Sequence, residues 1–122
     1  MFDITPEEAR LLLNVALMAT GSNRFGSAAK ILAALELFRP GNPSLAAAKA
    51  VLLVSMGEFR RAVDYLDGEA LPRNPDAAML KVFKGMALMR MGRTDEALAP
   101  LKDAAGQTGD PAAAQMAKDL LL

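Results

Sequence analysis

The strongest constraint on this chain is a phrase that it contains twice. Residues 56–66 read MGEFRRAVDYL, and residues 91–101 read MGRTDEALAPL. Both copies begin with Met-Gly, have Ala at the seventh place and end on Leu at the eleventh. Repetition at a fixed period indicates an architecture in which identical supersecondary units stack and bury one continuous core.

The repetition extends to three units when equivalent positions are aligned. Small residues come first, an alanine follows twelve residues later, and a leucine follows that alanine by four. Small residues at such positions let two helix backbones approach, and the leucine fills the space beside them. The predicted packing positions are Ala16, Ala28 and Leu32, then Ala50, Ala62 and Leu66, then Gly85, Ala97 and Leu101.

Local signals mark where the predicted helices begin and end. Gly57 and Gly92 stand where the first helix of a unit should close with a left-handed residue, and Asn23 holds that place in unit one. The stretch TPEE at residues 5–8 reads as a capping box with proline at the first helical position. Asp110 before Pro111 should cap a final helix.

Composition favours an all-α protein without catalytic chemistry. Ala, Leu and Met are good helix formers, and 14 basic residues balance 14 acidic ones, which argues against nucleic acid as a partner. The absence of Cys and His removes disulfides, thiolate sites and the commonest general base and metal ligand. We therefore expect no enzyme activity, no cofactor and no metal. The acidic, polar start MFDITPEEAR and the short apolar runs predict neither a signal peptide nor membrane insertion, so a cytoplasmic protein is expected.

The aligned positions resemble the tetratricopeptide repeat (TPR), which has a period of 34 and the pattern W-x2-L-G-x2-Y…A-x3-F…P. The closing prolines are Pro40, Pro75 and Pro111. The resemblance implies a single domain, 1–122, folded as a right-handed α-solenoid. Its three helix pairs would cover roughly residues 9–42, 43–77 and 78–110, with a capping helix at 111–121. The alternative is an irregular Ala/Leu-rich helical bundle.

The chain departs from the TPR pattern at several positions. Lys49, Lys81 and Lys84 stand where apolar residues are expected. Either their stems are buried with the ammonium groups at the surface, or the helices are slightly displaced. Pro100 lies inside the second helix of unit three and should bend that helix or remove one hydrogen bond.

The resemblance also implies a concave groove, lined by the second, fifth, ninth and twelfth positions of each unit. Arg10, Thr20 and Ser44 fall on such positions, and the others are apolar: Leu13, Leu17, Ala47, Val51, Val54, Met79, Val82, Met86 and Met89. A carboxylate clamp, as in TPR co-chaperones of heat-shock proteins, is not expected, because Leu13, Leu17, Ala47 and Val51 replace its polar residues. An apolar groove instead suits a partner's amphipathic helix. Two alternatives remain: the methionines belong to the core, or the chain covers the groove with its N-terminal segment or its C-terminal helix.

A small protein of three TPR units resembles the needle-subunit chaperones of bacterial type III secretion systems (the YscG/PscG-like group). That resemblance implies a partner, the C-terminal amphipathic helix of the needle subunit, held in the groove so that the subunit cannot polymerise. It also implies a small helical co-chaperone on the N-terminal repeat. The alternatives are a homo-oligomerising scaffold or adaptor and a chaperone of translocator proteins.

Overall fold

The computed structural model describes residues 4–122, which fold into helices joined by short turns. The helices are α1 (Pro6–Gly21), α2 (Phe25–Phe38), α3 (Pro43–Ser55), α4 (Phe59–Tyr65, continued by a π-helical stretch Leu66–Ala70 and by Leu71–Arg73), α5 (Ala78–Arg90), α6 (Thr94–Ala105) and α7 (Pro111–Leu120). The pairs α1/α2, α3/α4 and α5/α6 stack in order, and α7 packs on α5 and α6. The expected all-α solenoid of helix pairs with a C-terminal helix is thus the observed architecture.

The predicted caps form. The Oγ1 atom of Thr5 accepts a hydrogen bond from the Glu8 backbone N–H at 3.1 Å, and the Thr5 N–H donates to Glu8 Oε1 at 3.2 Å. Asp110 Oδ1 accepts from the Ala113 N–H at 3.0 Å. These bonds satisfy backbone donors at the first turns of α1 and α7, where no earlier carbonyl is available.

The first helix of each unit ends in the same way. Asn23, Gly57 and Gly92 have φ values of 62°, 76° and 77°. The N–H group of the next residue then returns to a carbonyl five positions back, at Ala19, Leu53 and Leu88, over 2.8, 2.9 and 2.9 Å. This is the hydrogen-bonding pattern of a Schellman motif, so the predicted left-handed residues are confirmed in all three units.

The core consists of three apolar clusters that follow the solenoid. One lies within α1, α2 and α3; a second joins α3, α4 and α5; the largest joins α3 to α7. All nine predicted packing positions are buried. The five alanines among them are 0% exposed, which places the small residues at the helix contacts.

The three unexpected lysines reach partners on neighbouring helices. Lys81 Nζ lies 2.5 Å from Asp103 Oδ2, and Lys84 Nζ lies 2.7 Å from Asp67 Oδ1. The Lys49 ammonium is 4.4 Å from the centroid of the Tyr65 ring, in a cation–π contact. The interpretation in which the lysine stems are buried and the charges reach towards the surface is therefore supported for Lys81 and Lys84, which are partly buried, whereas Lys49 is exposed.

Candidate functional site

A cavity of about 730 Å³ runs across the first helices of the three units. We call it the groove. Its apolar wall is formed by Leu13 and Leu17 of α1, Ala47, Ala48 and Val51 of α3, Met79, Leu80 and Phe83 of α5 and Met116 of α7. Since each helix pair contributes to it, the stacking of the units creates the groove and no single unit contains it.

Five of the nine apolar residues predicted to line a groove lie there: Leu13, Leu17, Ala47, Val51 and Met79. Leu17 is 39% exposed, and the other four are partly buried. These five side chains are thus accessible to a partner while their backbones are fixed by helix packing.

The prediction is wrong for Val82, which is 0% exposed. Val82 belongs to the largest core cluster, together with Ala113 and Ala117 of α7. Thr20 is likewise buried, at 4% exposure, and its Oγ1 donates a hydrogen bond to the Ala16 carbonyl at 2.9 Å. Both side chains therefore stabilise the fold and are not available to a partner.

Three further predicted residues lie outside the groove. Val54 and Met89 pack against the largest cluster, and Met86 packs against the cluster around Leu66 and Leu80. All three are partly buried. For Met86 and Met89, the alternative assignment to the core fits the structure better.

Sequence reasoning missed Phe83 and Met116, which the structure places in the groove wall. Phe83 follows Met79 by four residues, a spacing that puts two side chains on the same face of a helix. Met116 lies on α7, beside the core residues Ala113 and Ala117. Among residues 4–122, the C-terminal helix thus contributes one side chain to the groove wall and leaves the cavity open.

A second cavity, of about 400 Å³, adjoins the groove at unit one and shares Leu13 and Ser44 with it. It is lined by Arg10 of α1 and Arg39 after α2. We call it the arginine pocket. The side of the groove that adjoins the starts of α5 and α7 includes Asp76 and Asp110, and we call it the unit-three side.

Another apolar surface lies on α1, outside the groove. Leu11, Val15 and Met18 are 64%, 49% and 71% exposed and stand at i, i+4 and i+7, with Leu12 beside them at 38%. We call this surface the outer face of α1. Exposed apolar side chains grouped on one face of a helix indicate a contact surface.

Within residues 4–122, no helix combines the length and the hydrophobicity needed to cross a membrane. The same residues contain no cluster of three or more acidic side chains arranged to hold a metal ion.

The chain was compared with models of known protein families. A family model described as tetratricopeptide repeat matches residues 47–117, which is more than half of the chain. The matched region contains α4, α5 and α6, and thus most of unit two and all of unit three. No curated protein sequence matches the chain.

Proposed function

Because this chain belongs to the tetratricopeptide repeat family, whose repeats bind protein partners, we propose that it is a chaperone for an amphipathic helix. The observation that carries the proposal is the open groove, whose apolar wall comes from α1, α3, α5 and α7. A helix presents apolar side chains at i, i+3 or i+4 and i+7, which match a groove of this kind. The accessible Leu17 and Met79 offer flexible apolar contacts on two sides of it.

We propose further that the partner is the needle subunit of a bacterial type III secretion system, held in the cytoplasm before export. This part rests on the resemblance in size and unit number to the needle-subunit chaperones. A needle subunit assembles by head-to-tail contacts between copies, so covering one apolar face is sufficient to prevent filaments. The groove residues need only bind, and no reaction is involved.

The proposal is tested with the groove variants Leu17→Glu and Val51→Glu and the control Leu37→Glu. Leu37 is 83% exposed on α2 and does not line the groove. Leu37→Glu therefore makes the same kind of substitution, an apolar residue to glutamate, at a position outside the groove. Each variant is mixed with the needle subunit, and fibre growth is followed by light scattering. The wild type and Leu37→Glu should suppress fibres, and both groove variants should not.

Far-UV circular dichroism and thermal melting of the same variants complete the test. A buried carboxylate would unfold the protein, whereas a carboxylate in an open groove should leave the helical signal near that of the wild type. If the groove variants still suppress fibres, or if they lose activity only by unfolding, the groove is not the binding site.

The outer face of α1 supports the small helical co-chaperone that the resemblance implies. A scaffold that pairs with a second copy of itself would use the same exposed residues, Leu11, Val15 and Met18. Light scattering after size exclusion separates the two possibilities. A monomer without a partner supports the co-chaperone, and a dimer that Val15→Glu dissociates supports the scaffold.

A further inference from the structure

The groove carries opposite charges at its two sides. On the unit-one side, Arg10 and Arg39 line the arginine pocket, which is continuous with the groove through Leu13. On the unit-three side, Asp76 and Asp110 belong to the groove lining itself. An occupant that spans the groove therefore meets guanidinium groups at one end and carboxylates at the other.

The two arginines are available to a carboxylate. Neither takes part in any of the ion pairs formed among residues 4–122. Arg10 is exposed, and the guanidinium of Arg39 makes one long hydrogen bond, to the Ile4 carbonyl at 3.4 Å. That distance indicates a weak bond, and a guanidinium has five N–H donors, so most of its capacity is open.

The acidic side is partly committed to the fold. Asp110 uses Oδ1 to cap α7 and is also one of the residues that line the groove. Asp76 is exposed and forms no ion pair within the described part of the chain. These carboxylates favour a cationic side chain on the occupant and disfavour an anionic one.

From this arrangement we propose that the groove recognises a helix with an acidic side chain, Asp or Glu, at the end that lies over α1. The apolar residues form the floor and supply affinity, and the arginine pocket fixes which way the helix lies. This inference rests on the proposed function, because it assumes that a helix occupies the groove. Guanidinium groups bind carboxylates through paired hydrogen bonds, so the discrimination between acidic and neutral ends depends on Arg10 and Arg39.

The probe is a phage-displayed library of random 16-residue peptides, each fused to the coat protein through its C-terminus. The fused peptides have no free terminal carboxylate, so any carboxylate that binds the arginines comes from an Asp or Glu side chain. Selection on the wild type should enrich apolar residues at i, i+3 or i+4 and i+7 with Asp or Glu at one end. The affinity of one selected peptide is then measured by fluorescence anisotropy. It should fall about tenfold in the variant Arg10→Gln/Arg39→Gln, as expected for lost charge-assisted hydrogen bonds.

The control Arg60→Gln/Arg61→Gln changes two exposed arginines of α4 that lie outside both cavities. It has the same net charge as the variant Arg10→Gln/Arg39→Gln. It should bind like the wild type. Arg10→Lys/Arg39→Lys should recover part of the affinity, because it keeps the charge but not the planar donor pair. The difference in peptide affinity between the wild type and the variant Arg10→Gln/Arg39→Gln should become smaller in 1 M salt, because salt screens the charges.

The outcomes separate this inference from the function on which it rests. Enriched apolar spacing without an acidic end, or equal affinity for the wild type and the Arg10→Gln/Arg39→Gln variant, overturns the charge recognition alone. A selection without apolar spacing, or peptides that bind Leu17→Glu as well as the wild type, overturns the groove as a helix-binding site.

Discussion

Gly85 lies in α5 directly against Leu101 of α6. A Cβ atom placed on Gly85 would be 2.5 Å from Leu101 Cγ and 2.6 Å from its Cδ2. Those distances are too short for any real contact between carbon atoms. Units one and two carry alanine at the equivalent place, at Ala16 and Ala50, and both are 0% exposed. Unit three thus brings a helix backbone closer to the neighbouring leucine than an alanine permits.

We therefore expect Gly85→Ala to lower the free energy of unfolding by about 1–3 kcal/mol through overpacking, although alanine is the better helix former. The control is Gly26→Ala in α2, where the added Cβ would meet no atom within 4 Å apart from its chain neighbours and the backbone of its own helix. Because Gly26 is the second residue of α2 and not in its interior, that change should raise the free energy of unfolding by no more than about 0.5 kcal/mol. Urea unfolding of both variants measures the effects. An equal gain from the two substitutions would show that the space at Leu101 is not restrictive.

At the scale of the element, helix ends were predictable and helix faces were less so. The left-handed residues Asn23, Gly57 and Gly92 follow from a rule about a few adjacent residues. Which side of α5 is buried depends instead on α7, a helix outside the repeat. The side chains of Ala113 and Ala117 pack in the same cluster as Val82, while Phe83, one residue later and about 100° around the helix, lines the groove. The repeat pattern predicts the three units, but it does not predict which side of α5 the helix α7 covers.

Within α6, the sequence predicted either a bend or a lost hydrogen bond at Pro100. The helix continues through it from Thr94 to Ala105. Proline has no N–H to donate to the carbonyl four residues earlier, at Glu96, so one bond of the helix is missing. The structure thus keeps the helix at the expense of that bond.

Pro100→Ala should raise the free energy of unfolding, by up to about 3 kcal/mol, because it adds this bond and removes the ring from a helix interior. Pro111→Ala is the matched control. Pro111 is the first residue of α7, where the backbone N–H of the substituted alanine would have no acceptor within the helix. We expect its effect to stay within about 0.5 kcal/mol. Thermal unfolding measures both. A loss of stability in Pro100→Ala would mean that the ring contributes packing worth more than a hydrogen bond.

Across the whole molecule, burial is unevenly distributed among the units. The only buried residues of α1 are Ala16 and Thr20, whereas α5 has seven. The largest core cluster joins α3 to α7 and does not include α1. In a solenoid, stability is approximately a sum over units and their contacts with neighbours. Unit one, whose first helix has few buried residues and exposes the outer face of α1, should therefore open before unit three.

Hydrogen exchange followed by mass spectrometry measures this order directly. Amides of α1 should exchange fastest among the helices, and those of α5 slowest, because local opening depends on buried contacts. Leu32→Ala, in the unit-one cluster, should speed exchange in α1 and α2 while leaving α5 near its wild-type rate. The helix that we propose as the partner would contact Leu13 and Leu17 of α1, so its binding should slow exchange there more than in α6, which does not line the groove. Equal exchange rates in all helices of the free protein would contradict this order, because they would show that the helices open together as one cooperative unit. Unit one would then be as stable as unit three before a partner binds.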